Sequence, residues 1–163
     1  MALRKHRPGE LVIEQTRDLL RVREMIASAG MMTDGIEWPA ACYILAYHGD
    51  EAIGVVGVEA KIDAALIRSL YVQPAMRQRG IGAALLAAAR KAAHTRGARH
   101  LYLFSTDAGG FFERQGFVRA EVANLIAALP NVPQVEHYCA RPDELAREVA
   151  YHLDISGDGV IER

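Results

Sequence analysis

The chain has 163 residues, 51% hydrophobic and 24% charged, with a formal net charge of −1. That length suits one domain, and the apolar content builds a core that a disordered chain would lack. Basic and acidic residues are interleaved, so no nucleic-acid-binding face is expected, and the apolar runs fall short of the ~18 residues that a membrane span needs.

In chain order, MALRKHRPGELVIEQ turns polar where a secretory signal has an apolar core, which predicts a cytoplasmic protein. Residues 16–29 place Leu19, Leu20, Val22, Met25 and Ile26 on one face, an amphipathic helix closed by Gly30. MMTDGIEWPA has no period and reads as a loop. ACYILAYH and AIGVVGVEA, joined across Gly49–Asp50–Glu51, read as a strand hairpin, and residues 65–72 (ALIRSLYV) as a third strand stopped by Pro74. Residues 80–96, rich in Ala and Leu with Gly97 after them, predict a long helix. HLYLFS predicts a strand, residues 108–115 a short helix ended by Gly116, and the segment from Phe117 and residues 135–140 two more strands. The tail after Pro142 begins as a helix and then frays. The expected organisation is a single domain over residues 1–142 with a partly helical tail over 143–163. Its fold class is α/β (α+β): one mixed, mostly antiparallel sheet of about six to seven strands flanked by about four helices.

Cys42 and Cys139 lack metal-ligand spacing and are expected as buried, reduced thiols in strands. His137 lies two residues from Cys139, which on a strand puts both side chains on one face with no mechanism implied. The six histidines share no motif, and each is read as a surface or packing residue. No metal is called for.

The most informative stretch is LYVQPAMRQRGIGA, Leu70 to Ala83, where a strand ends, a short loop turns and a long helix begins with Gly80 and Gly82. Glycines there let backbone N–H groups close on an anion, and the helix start adds unpaired donors and a partial positive charge. Arg77 and Arg79 add positive charge. An ordinary tight strand–helix turn would carry the same glycines, so the spacing alone does not decide.

Arg77-x-x-Gly80-x-Gly82 after LYVQP resembles the (Q/R)xxGx(G/A) acetyl-CoA motif of the GNAT superfamily of N-acetyltransferases. HLYLFSTDAGGFFERQGF is similar to the strand and short helix ending in Gly-Phe that follow the long helix in that superfamily. The resemblance implies an acetyl-CoA-dependent N-acetyltransferase. The backbone of Leu70, Tyr71 and Val72 would pair with the pantetheine arm where two strands splay. Gln78, Arg79, Gly80, Ile81, Gly82 and Ala83, with Arg77, would wrap the pyrophosphate, and Phe111 and Phe112 would contact the thiol end. Many relatives carry a tyrosine where this chain has Phe112. Protonation of the departing thiolate is therefore either unnecessary or left to Tyr71, Ser105 or Thr106.

Ser105–Thr106 before FFERQGF, and VGVEAKIDAALIRSLYV, resemble the acetyltransferase domain of N-acetylglutamate synthases and the arsinothricin- or phosphinothricin-type N-acetyltransferases. The implied acceptor is a small amine, glutamate-like or arsinothricin-like. Arg68, inside an apolar strand, is then the candidate for its carboxylate, with Thr106 beside it. A solvent-facing or internally paired Arg68 is the bland alternative. Glu59, ending the preceding strand, is the candidate proton acceptor and substrate contact, with Glu14 and Glu37 as further acids. Other readings left open are another amine (polyamine, drug or protein N-terminus), a non-catalytic acetyl-CoA sensor, and a structural module. GNAT proteins often dimerise through terminal strands, so a homodimer is allowed.

Overall fold

The structure is a computed structural model and describes residues 6–158. Seven strands form one sheet in the order β1-β2-β3-β4-β5-β7-β6. The first half is a meander: β1 (Leu11–Thr16), β2 (Ala41–His48), β3 (Glu51–Ala60) and β4 (Ala64–Val72) pair antiparallel in sequence. Between β1 and β2 the chain makes α1 (Leu19–Ser28), capped by the Asp18 carboxylate, which accepts from the Arg21 amide at 3.1 Å. A 3₁₀ turn (Pro74–Met76) and α2 (Ile81–Thr95) carry the chain over to β5 (His100–Ser105), the one strand that runs parallel to its neighbour, β4.

The sheet core follows the two-residue period. Tyr43, Leu45, Tyr47 and Val55 pack on one face against Val22, Met25 and Ile26 of α1. Ile44, Ala46, Val56 and Val58 pack on the other against Leu85, Leu86, Ala89 and Ala93 of α2. The expected fold class holds, with six α-helices in place of about four.

The second half departs from expectation. After α3 (Gly109–Arg114), β6 (Val118–Ala120) and α4 (Val122–Ala128), residues 133–139 form α5 (Pro133–Cys139) and not a strand. Pro133 sits in the first turn, where its missing N–H is harmless. Cys139 is therefore exposed on a helix, while Cys42 is buried in β2 as expected. The tail begins with the expected helix, α6 (Pro142–Leu145), but does not fray over the described residues that follow it, and residues 159–163 lie outside those described. It forms β7 (Val149–Asp154), inserted antiparallel between β5 and β6, with Tyr151 and Ala150 buried.

Two irregularities shape the sheet's centre. β4 pairs with β5 only over Ala64–Leu66 against His100–Tyr102, and beyond that the strands part. On β4's other side the register slips: Gly57 faces Arg68 but Val55 faces Tyr71, so β4 carries an extra residue there. Ser69 takes up the bulge with a left-handed φ of 57°.

Candidate active site

The parting of β4 and β5 opens a cleft of about 990 Å³. Its walls are Ile67–Val72 of β4 and Leu103–Ala108 at the end of β5. Residues 67–72 have no strand partner on the β5 side, so main-chain groups that point there, other than the Val72 carbonyl, which accepts from Arg77, can meet a ligand.

At one end the start of α2 closes the cleft. The first bond within that helix is Ala84 N–H to the Gly80 carbonyl, at 3.0 Å, so the N–H groups of Ile81, Gly82 and Ala83 have no partner in the helix. Gln78 and Gly80 reach this geometry through φ of 63° and 77°. A Cβ on Gly82 would lie 3.7 Å from the Phe111 ring, so glycine is not required there by the fold itself. Its place at the cleft wall is what a close-lying anion would use. Arg77 is anchored by its Nε, which donates to the Val72 carbonyl at 2.9 Å, and its guanidinium lies 5.6 Å from the centre of the Tyr71 ring. Arg77, Gln78, Gly80, Ile81, Gly82, Ala83, Phe111 and Phe112 all border the cleft, as do Leu70, Tyr71 and Val72. Arg79 is exposed and does not border it. Phe112 is buried against Phe117 and Tyr151, with Phe111 edge-on to it.

Ser105 and Thr106 border the cleft at the mouth of β5. Ser105 Oγ accepts from the Ala108 amide at 3.0 Å, which leaves its own proton available.

Arg68 and Glu59 do not stand as expected. Arg68 Nη1 lies 2.9 Å from Glu59 Oε2, and both side chains are fully buried. The same Nη1 donates to the Asp34 carbonyl at 2.7 Å, Nη2 to the Met32 carbonyl at 2.8 Å, and Nε to Ser69 Oγ at 3.2 Å. The other Glu59 oxygen accepts from the Gln134 amide at 3.1 Å. Four of the five guanidinium N–H directions are thus committed, and the carboxylate expected from a substrate is supplied by the protein. Glu59 does not border the cleft, so it cannot take a proton there directly. Burial pushes its carboxyl up, against the lowering influence of Arg68 and the Gln134 amide. The pair instead ties the 31–40 loop and the start of α5 to the sheet. The fastening is tight: a Cβ on Gly35, whose φ is 72°, would lie 2.1 Å from Pro133 Cβ.

Of the other acids, Glu14 faces His6 and Glu37 pairs with Arg23, and neither borders the cleft. The residues that form its far end were not among the candidates: Met32, Gln134, His137, Tyr138, Glu144 and Glu148. His137 places Nδ1 2.9 Å from Asp34 and Nε2 3.0 Å from Glu144, and the Asp34 carboxyl is held below its usual range, chiefly by that hydrogen bond. The Tyr138 hydroxyl donates to Glu148 Oε1 at 2.7 Å and is pushed well above the tyrosine range by burial and by Glu148. A second groove, about 770 Å³ along β6, β7 and the start of α4, shares Glu148 with the cleft but has neither a glycine turn nor a strand gap. Among the described residues, no group of three or more His, Cys, Asp or Glu side chains is placed to hold a metal ion.

The cleft therefore offers an anion cradle, an extended main-chain wall and an acidic far end. Residues 39–119 match the family model described as the acetyltransferase (GNAT) domain. No curated protein matches the sequence. Among solved structures, a Mycobacterium tuberculosis protein in complex with CoA is 17% identical, with a TM-score of 0.69 over 88% of this chain and 98% of its own. N-acetylglutamate synthase from Neisseria gonorrhoeae, complexed with coenzyme A and N-acetyl-glutamate, is 19% identical with a TM-score of 0.67, covering 91% of this chain but 36% of the synthase. An acetyltransferase of the GNAT family from Staphylococcus aureus is 15% identical with a TM-score of 0.68, over 90% and 99%. With the domain match spanning β2 to β6, the shared fold and a glycine-lined helix start at the strand gap, the chain belongs to the GNAT acetyltransferase superfamily.

Proposed function

We propose that this chain transfers the acetyl group of acetyl-CoA to the primary amine of a small molecule. The observation that carries the reading is one continuous cleft joining the α2 cradle, the unpaired side of β4 and a polar far end. Acetyl-CoA fits it: the pyrophosphate would meet the free N–H groups of Ile81, Gly82 and Ala83 with Arg77, and the pantetheine amides would meet residues 70–72. When bound, it supplies the activated acyl carbon. The free main-chain N–H groups of β4 are the donors for the carbonyl oxygen as charge develops on it. Phe112 has no proton to give, but a thiol with a reference pKa of ~8.5 is a tolerable leaving group near neutral pH. Tyr71, Ser105 and Thr106 are bordering hydroxyls that can return the proton.

A glutamate-like or arsinothricin-like acceptor is the finer reading, favoured by the neighbour solved with N-acetyl-glutamate. Its residue-level support was Arg68, which is committed to Glu59 and two carbonyls. A substrate carboxylate would meet one Nη2 N–H and the hydroxyls of Ser69 and Thr106. The test is CoA release from acetyl-CoA over a panel of amino acids, diamines, aminated drugs and peptide N-termini. Release with at least one amine is expected. Tight acetyl-CoA binding with no release from any of them would make the protein a sensor.

A further inference from the structure

We infer that the acceptor is a cationic amine with no carboxylate beside its reacting nitrogen, and that Glu148 receives its ammonium and takes the proton. This rests on the acetyl-transfer reading and names its substrate class. The inference comes from which donors and acceptors remain at the far end of the cleft. Except for one Arg68 Nη2 N–H, the charged donors are committed: Arg68 to Glu59 and to the Met32 and Asp34 carbonyls, and both His137 nitrogens to Asp34 and Glu144. The Tyr138 hydroxyl is committed to Glu148. Among the described residues, two buried acceptors at this end have no hydrogen-bond partner, Glu148 Oε2 and Gln134 Oε1. Leaving buried acceptors unpaired costs free energy, which an entering donor relieves. An ammonium has three donors and no acceptor, and matches them.

Charge points the same way. The bordering cations Arg77 and Arg114 belong to the loop before α2 and to α3, on the cradle side, whereas Glu144 and Glu148 border the far end with Asp34 behind His137. The one cation buried at that end, Arg68, is neutralised by Glu59. Glu148 precedes Val149, the residue opposite Ser105, which puts it at the mouth of the strand gap where an acyl group carried along β4 would end. Tyr138, packed edge-on against Phe104, fixes the carboxylate by holding Oε1.

The step balances. One ammonium proton passes to Glu148, the nitrogen lone pair forms a bond to the acetyl carbonyl carbon, and the carbon–sulfur bond breaks with its electron pair on sulfur. The second nitrogen proton ends on the CoA thiol, and Glu148 releases its proton to solvent. Amide, CoA and one proton are the products.

The experiment compares kcat/KM for an amino acid, its carboxamide and a linear diamine, in the wild type and in Glu148→Gln, which still accepts from Tyr138. The carboxamide and the diamine should exceed the free amino acid by at least about tenfold, since a second carboxylate beside Glu148 is repelled. Glu148→Gln should lose about a hundredfold near neutral pH, within the range of a lost general base. It should regain activity as pH rises toward the acceptor's own pKa, with acetyl-CoA affinity by calorimetry unchanged. Glu148→Asp should recover part of the loss. A preference for the free amino acid, or a Glu148→Gln loss of under threefold with the wild-type pH profile, overturns the inference and leaves acetyl transfer intact. No CoA release with any amine overturns acetyl transfer, and this inference with it.

Discussion

Replacing Arg68 with Met removes the charge while nearly keeping the volume of the side-chain stem. Glu59 would then be a carboxylate with 0% exposure, held by the Gln134 amide alone. Removing one partner of a buried ion pair costs about 3–5 kcal/mol, because the other charge is left uncompensated. Set against a total stability of roughly 5–15 kcal/mol, that leaves the variant marginal. The loss should depend on pH. Glu59 already has a folded-state carboxyl above its ordinary value, since burial outweighs Arg68. A carboxyl raised in the folded state contributes stability that is present below the unfolded value and is lost as pH rises through the folded one. Without Arg68 the carboxyl rises further and that window widens. The deficit should therefore be smallest near the ordinary value of 4.5 and grow as pH rises above it. Urea unfolding followed by circular dichroism, from about pH 5 to about pH 8, measures this through ΔG and midpoint. Adding Glu59→Gln to Arg68→Met should restore most of the loss at the alkaline end. A deficit below about 1 kcal/mol, or one that grows as pH falls, would refute the account of a desolvated, Arg68-dependent carboxylate.

Gly82→Val should fold, since its Cβ makes ordinary contact with Phe111, yet weaken acetyl-CoA by at least tenfold, about 1.4 kcal/mol; unchanged affinity by calorimetry would remove the cradle from this segment. Gly35→Ala combines a φ of 72° with a Cβ 2.1 Å from Pro133, and should cost at least about 2 kcal/mol in thermal unfolding. Because it loosens the two loops at the acceptor end, its KM for the amine should rise while that for acetyl-CoA holds. Phe112→Tyr should change kcat by less than about tenfold, or 1.4 kcal/mol, and a larger gain would show that leaving-group protonation limits the native enzyme.

The cradle was legible because it is local: strand end, turn and helix start lie within fourteen residues from Leu70 to Ala83. Strands β2 to β4 and the two long helices were legible for the same reason, through period and punctuation, whereas β1 was not read as a strand. Arg68 and Glu59 were both singled out, but not as each other's partner. Their pairing needs the β3–β4 register, in which Arg68 faces Gly57 and Glu59 lies diagonally two residues on. Gly57 matters here: a Cβ there would lie 2.9 Å from Arg68 Cγ, so the glycine makes room for the stem that crosses it. Residues 133–139 and 149–154 were misread, because α5 and β7 span only seven and six residues, while the helix expected after Pro142 is α6. Segments that short take their state from packing, and VEHYCA carries as many strand formers as helix formers. With α5 taken for a strand, His137, Tyr138 and Glu148 could not be brought to the cleft.

The position of β7 has a consequence for how the chain is made. Among the described residues β6 pairs only with β7, and β5 takes β7 on its outer side, yet β7 is the last of the seven strands to be synthesised. Until Asp154 has emerged, β5 presents an unpaired, largely apolar edge and β6 has no sheet to join. Such an edge is a template for other chains, so the nascent protein is most prone to aggregate between the synthesis of β5 and that of β7. Truncation before Val149 would therefore give an aggregating chain and not a smaller enzyme, and closing the acceptor end and closing the sheet become one event in folding.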